Sequence, residues 1–244
     1  MSERILVQIN LFGPYVKKEK IPKILNLKTT APYNVQADLL QQFFELPFGA
    51  LSQKILDRYV EITTKNLHIS IAPYTKELSE RLLKPLKAAK KNYCLGDYSS
   101  TITLCGVVGE MLAILLWKIN EPRFEGKPLT EEDEKGLFGS TFEKLGQKRR
   151  LEILKAFGYI NEIQYRNFVE IKNSRRPYLH LWSIDLKNDR EDALDTFKKA
   201  FQLFREITGI GIRDARTVKV NPLLIKLFKN PKEKNEKLGV PNIV

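Results

Sequence analysis

One short stretch of this chain combines residue types that can do chemistry together. In residues 170–182, EIKNSRRPYLHLW, Arg175 precedes His180 by five positions. An imidazole titrates near neutral pH and can move a proton. A guanidinium can hold a phosphate through two parallel hydrogen bonds. Together they suffice for metal-free cleavage of RNA. A base takes the 2′-hydroxyl proton, that oxygen attacks the neighbouring phosphate, and a cation stabilises the added charge. The pair equally describes a helix-capping histidine beside a surface arginine, and spacing alone does not choose between them. Other catalytic signatures are missing from the sequence: there is no GxxxxGK[ST] loop, GxSxG elbow, HExxH or CxxC. Two cysteines, Cys94 and Cys105, make no disulfide scaffold, and His68 and His180 make no zinc cluster. We therefore expect neither a metal nor a cofactor.

Charge supplies a second line of inference. Lys and Arg number 41 against 29 acids, a net charge of +12, which suits a polyanion such as RNA or serves solubility alone. Lys148, Arg149, Lys172 and Arg176 are the cations we assign to RNA contact. Tyr178 and Trp182 either stack on bases or pack in the core or an interface. Lys84, Lys87 and Lys91 repeat at helical spacing, as a groove wall or a solvated face. Glu110 is the only charge between Thr103 and Lys118. It either orients Arg175 or His180 or pairs with a structural cation. Glu131, Glu132 and Asp133 read as solvated loop.

The elements that must position these residues follow from periodicity. Residues 4–12 suggest a strand, Lys17 to Lys23 an exposed loop, and 35–66 two helices broken at Pro47 and Gly49. Residues 75–93 place Leu78, Leu82, Leu83 and Leu86 on one side, with a kink expected at Pro85. Asp97 or Ser99 caps a helix to about Ile119 that is apolar nearly all round, the mark of a central bundle helix. Residues 120–139, rich in Gly and Pro, read as loop. Ser140 with Glu143 forms a capping box that opens a helix to about Phe157, ended by Gly158. A further helix spans about 161–174, ending before Pro177. The last runs from about Arg190 to Thr208, with Gly209 as its stop. Arg216 to Val220 is expected to pair as a short strand with the N-terminal one. The expected fold is mainly α, a helical bundle whose N-terminal extension contributes a short strand.

The order of these parts resembles the HEPN family (higher eukaryotes and prokaryotes nucleotide-binding domain), whose hallmark is Arg, four to six residues, then His in a compact helical bundle. The resemblance covers about residues 75–208: the apolar helix with one acid (CGVVGEMLAILLW), the helix with a Gly stop (KRRLEILKAFGYI), the Arg175–His180 pair, and the closing acidic-start helix (DREDALDTFKKAFQLF). It implies a metal-independent endoribonuclease in which His180 is the general acid/base, Arg175 the phosphate clamp and Arg176 an auxiliary contact. It also implies a homodimer, a defence or toxin role, and an antitoxin or other regulatory partner. Two departures stand out. The residue after the family's Arg is usually Asn, Asp or His, and here it is Arg176. Family toxins silenced by nucleotidylation carry Tyr two residues after the His, and here that residue is Trp182. The alternative reading is a catalytically inactive HEPN-like module that binds RNA or protein.

The expected organisation is an N-terminal segment of unassigned role (1–72), a HEPN-like bundle (73–210) and a basic C-terminal tail (211–244). Met1 to Ile5 lacks the start of a signal peptide, and the fourteen residues Leu104 to Trp117 are too short and, with Glu110, too charged to span a bilayer. We expect a cytoplasmic protein without membrane contact.

Overall fold

The computed structural model describes residues 16, 18–21, 35–46, 50–63, 76–179, 188–208, 211–214 and 217–219. Among them lie eight α-helices, and the molecule is a mainly α-helical bundle. The N-terminal helices α1 (Val35–Phe44) and α2 (Gln53–Ile62) are separated by the stretch holding Pro47 and Gly49, as expected. α2 packs on α3 (Lys76–Leu95), which continues through Pro85. Phe43, Phe44 and Tyr59 meet edge-on at 5.0–5.8 Å and belong to the same buried cluster as the rest of the bundle, so the core runs across the boundary drawn at residue 72.

The most apolar helix is the hub. α4 (Tyr98–Asn120) starts where the Asp97 side chain accepts the Ser100 N–H at 3.0 Å, satisfying one orphan donor of the first turn. Its buried residues include Ile102, Cys105, Val108, Leu112, Leu116 and Trp117. It packs against α3, α6 (Gln147–Ala156), α7 (Glu162–Leu179) and α8 (Asp189–Thr208). The expected fourteen-residue window therefore sits inside a helix of 23 residues, long and apolar enough by length and composition to cross a membrane. In this fold 61% of its most apolar stretch is buried inside the bundle.

Several local expectations are corrected. Residues 120–139 are not simply loop. β1 (Arg123–Phe124) and β2 (Lys127–Pro128) form a small antiparallel hairpin in which Phe124 faces Lys127. Glu125 and Gly126, at φ 50° and 81°, supply the left-handed pair of a two-residue turn. α5 (Glu131–Phe138) follows. Thr130 accepts the Asp133 N–H, and Asp133 accepts the Thr130 N–H. Glu131, Glu132 and Asp133 thus open a helix at the positive end of its dipole.

The box expected at Ser140 and Glu143 does not form, because Glu143 is engaged elsewhere. Glu143 pairs with Lys118, and the Phe142 N–H donates to Glu134 at 2.8 Å. A short 3₁₀ turn, Phe142–Lys144, stands there instead, and α6 begins only at Gln147. A second 3₁₀ turn at Lys18–Lys20, beside buried Val16 and Ile21, lies in the stretch read as exposed loop. At the other end of the chain, β4 (Thr217–Lys219) pairs antiparallel with β3 (Gly211–Asp214). The run 4–12, its expected partner, lies outside the described residues, as does Gly209.

Candidate functional site

The helix carrying Arg175 is longer than its sequence suggests. α7 runs through Pro177 to Leu179. Proline there lies in the last turn, so its missing N–H forfeits a single hydrogen bond, and its ring is exposed. Tyr178 anchors the turn by donating its hydroxyl to Asp192 on α8 at 3.0 Å. Arg175 is consequently a residue of the helix body rather than of its end. His180 follows the last described residue of α7 and, like His68 and Trp182, lies outside the described residues.

Arg175 continues the inward stripe of its helix. Phe168 and Ile171 are 1% exposed, and steps of three and four carry the stripe to Arg175 and the half-buried Tyr178. The Arg175 side chain therefore lies on α4. It crosses at Gly106, where a Cβ would stand 2.6 Å from its Cδ. One turn along α4, Glu110 Oε1 meets Arg175 Nη1 at 2.5 Å. This contact engages one nitrogen of a guanidinium that carries five N–H donors, and both side chains remain partly exposed.

Beside this pair lies a groove of about 600 Å³ between the start of α6 and α7. Gly146, Gln147, Lys148, Arg149 and Glu152 line one side, and Lys172 and Arg175 the other, so four cations face one carboxylate. The structure thus brings the pair Lys148 and Arg149 together with Lys172 and Arg175, more than twenty residues further along the chain. Lys148 and Glu152 approach to 3.8 Å, an exposed pair of little energetic weight. Arg176 is exposed and does not line the groove. Tyr178 is tied to Asp192, and burial, reinforced by that carboxylate, raises the pKa of its hydroxyl. Lys87 and Lys91 lie over the Phe43 ring at 5.7 and 5.8 Å, and Lys91 pairs with Glu45 at 2.5 Å, a helix face packed on α1.

The groove also depends on residues that sequence reading passed over. Trp117 stacks on Phe142 with ring centroids 4.3 Å apart and donates its indole N–H to Glu134 at 2.5 Å. Glu134 also accepts the Phe142 N–H, so one carboxylate fixes the approach to α6. Arg150, only 8% exposed, donates its Nε–H to the Leu145 carbonyl at 2.7 Å. Burial lowers its pKa; the Glu110 carboxylate opposes that shift, while the Arg175 charge adds to it. The available sequence signal was Gly106, a small residue one helical turn before the lone acid Glu110 of an apolar helix.

Chemically, this arrangement can bind an anion along the groove and present Arg175 to it in a fixed orientation. Comparison with known proteins returned no match among family models, curated proteins or solved structures.

Proposed function

We propose that this chain is a metal-independent endoribonuclease of the HEPN type, with Arg175 at the scissile phosphate and His180 as general acid/base. The observation that carries this reading is the placement of Arg175. Glu110 and Gly106 hold it at the edge of a groove whose other cations are Lys172, Lys148 and Arg149. Such a groove suits a phosphodiester backbone, and a fixed guanidinium suits the charge that develops during 2′-hydroxyl attack. Glu110 is a positioning residue in this scheme, and Arg176 serves as an outer contact. The reading extends to a cytoplasmic homodimer acting as a defence or toxin effector under a regulatory partner.

The test is incubation with mixed RNA of wild type, Arg175→Ala and His180→Ala. Each variant is expected to cleave at least about a hundredfold more slowly, the scale of one acid/base or charge-stabilising group. Melting temperatures should stay within a few degrees. Variants that unfold, or that cleave as well as wild type, defeat the assignment.

A second reading, an RNA-binding module without catalysis, is favoured by the ion pair itself. Glu110 neutralises part of the Arg175 charge, and Arg176 replaces the family's usual polar residue. RNA binding with no cleavage by wild type would establish it.

A further inference from the structure

We propose that the N-terminus of α6 is a phosphate subsite. Its first-turn amides, with the side chains of Lys148, Arg149 and Lys172, hold a backbone phosphate of a single RNA strand next to the phosphate at Arg175. The proposal rests on the RNA reading above and adds where the strand is anchored.

Three observations carry it. The helix begins at Gly146, which has no side chain to accept the orphan N–H groups of the first turn. A Cβ built there meets nothing within 4 Å, so the approach to those groups is open. Such an end attracts anions through both its donors and its dipole.

The charges at this end run against helix preference. Negative residues are favoured in a first turn, as in α5 and α8 with their leading acids. α6 has no acid there and begins Gln147, Lys148, Arg149, Arg150. Three cations at the positive end of a dipole repel it and one another. An anion seated among them removes that repulsion.

The third observation is Arg150. Its Nε–H bond to the Leu145 carbonyl, one residue before Gly146, folds the guanidinium back to the same helix end. Nη1 is buried and has no hydrogen-bond partner among the described residues. A buried cation is costly unless it is paired. The two acids that bear on its charge, Glu110 and Glu143, are each in contact with another cation, Arg175 and Lys118. The start of α6 thus carries a buried donor without a partner, and the residues around it line a groove with four cations. A phosphodiester suits the surplus because its charge spreads over oxygens that several N–H donors can share. Lys172 and Arg175, three residues apart on α7, face the same groove, so a strand along it meets both sites in succession.

The experiment uses the full chain and a fluorescent 2′-O-methyl oligoribonucleotide, which binds as RNA but lacks the attacking hydroxyl. Anisotropy titrations at several salt concentrations compare wild type with Gly146→Asp, Gly146→Ser and Lys172→Ala, alongside thermal melts. Gly146 sits at φ −64°, ψ 149°, which Asp adopts readily as a helix cap. Gly146→Asp should therefore melt no lower than wild type while its Kd rises at least about tenfold at low salt, with a log–log salt slope shallower by about 1. Gly146→Ser, a cap without charge, should lose less.

Unchanged affinity in Gly146→Asp, or no binding of the oligonucleotide by wild type, overturns the proposal. So does a melting rise with inorganic phosphate that leaves oligonucleotide binding independent of Gly146, which identifies a free-phosphate site. Failure of the ribonuclease reading looks different: Gly146-dependent binding with no His180-dependent cleavage leaves the subsite standing.

Discussion

Gly106 and Arg175 are fitted to each other across two helices. The arginine side chain lies where any larger residue on α4 would stand, 2.6 Å from its Cδ at the Cβ position, and Glu110 receives the guanidinium one turn further on. The atom that a Cβ would strike is in the middle of the side chain, so the tip alone cannot swing clear. A glycine, which costs helix stability, stands where the arginine passes.

Gly106→Ala is accordingly expected to separate folding from function. By helix propensity alone it stabilises by about 1 kcal/mol. The overlap displaces Arg175 instead, and a misplacement near 1 Å can cost about a hundredfold in rate. Initial cleavage rates beside a thermal melt decide. A large loss of rate with a melting temperature within a few degrees of wild type is the expected result, and an undiminished rate refutes the fit.

The reaction should carry the signature of its nucleophile. Because the attacking group is the 2′-hydroxyl, cleavage should leave a 2′,3′-cyclic phosphate, spare DNA of the same sequence and persist in EDTA. End-group analysis of the products and a chelation control read this directly. Equal cutting of DNA contradicts the mechanism.

Lys90 should make stability depend on pH. It is fully buried, with Nζ 4.1 Å from the Tyr59 ring centroid and 5.4 Å from that of Phe43. Burial pushes its pKa down to about 7, against a smaller opposing influence of Cys94. Between about pH 7 and the ordinary lysine value of 10.5, the unfolded chain holds a proton that the folded chain has released. Stability from this group therefore rises with pH. Burial raises the Cys94 thiol from 9.0 to about 12, which works the other way above pH 9. Urea denaturation of wild type and Lys90→Met from pH 7 to 9 isolates the effect. The wild-type curve should gain on the variant across that range, and parallel curves argue against a depressed lysine.

A two-fold dimer would complete the proposed active site. One imidazole and one guanidinium are few groups for a reaction that also needs a proton donor to the leaving 5′-oxygen. A symmetric interface near Arg175 supplies a second set. Val107, 39% exposed on the α4 turn between Gly106 and Glu110, offers apolar surface beside the pair. Sedimentation at micromolar concentration should show the dimer, weakened in Trp182→Ala. The charge of +12 per chain predicts tighter association at higher salt. A monomer that cleaves at full rate excludes the composite site.

What the sequence determined by itself was local. Apolar periodicity and side-chain caps located α3, α4 and α8 to within a few residues: 75–93 against Lys76–Leu95, a cap at Asp97 or Ser99 against a start at Tyr98, and about Arg190 against Asp189. Each of those signals acts over one or two turns, so it survives without knowledge of neighbours. Expectations failed where a distant partner intervened. Glu134 takes the Phe142 N–H and the Trp117 indole, so α6 starts late. Asp192 holds Tyr178, so α7 outlasts its proline. The groove, too, depends on distant partners, although its cations were legible one by one. Lys148 and Arg149 are separated from Lys172 and Arg175 by an intervening turn and most of two helices. Only the packing of α6 on α7, with Gly106 opening a path for Arg175 on α4, sets four cations around one space. Periodicity records which face of a helix is apolar; which other helix that face meets is decided by packing of the whole core.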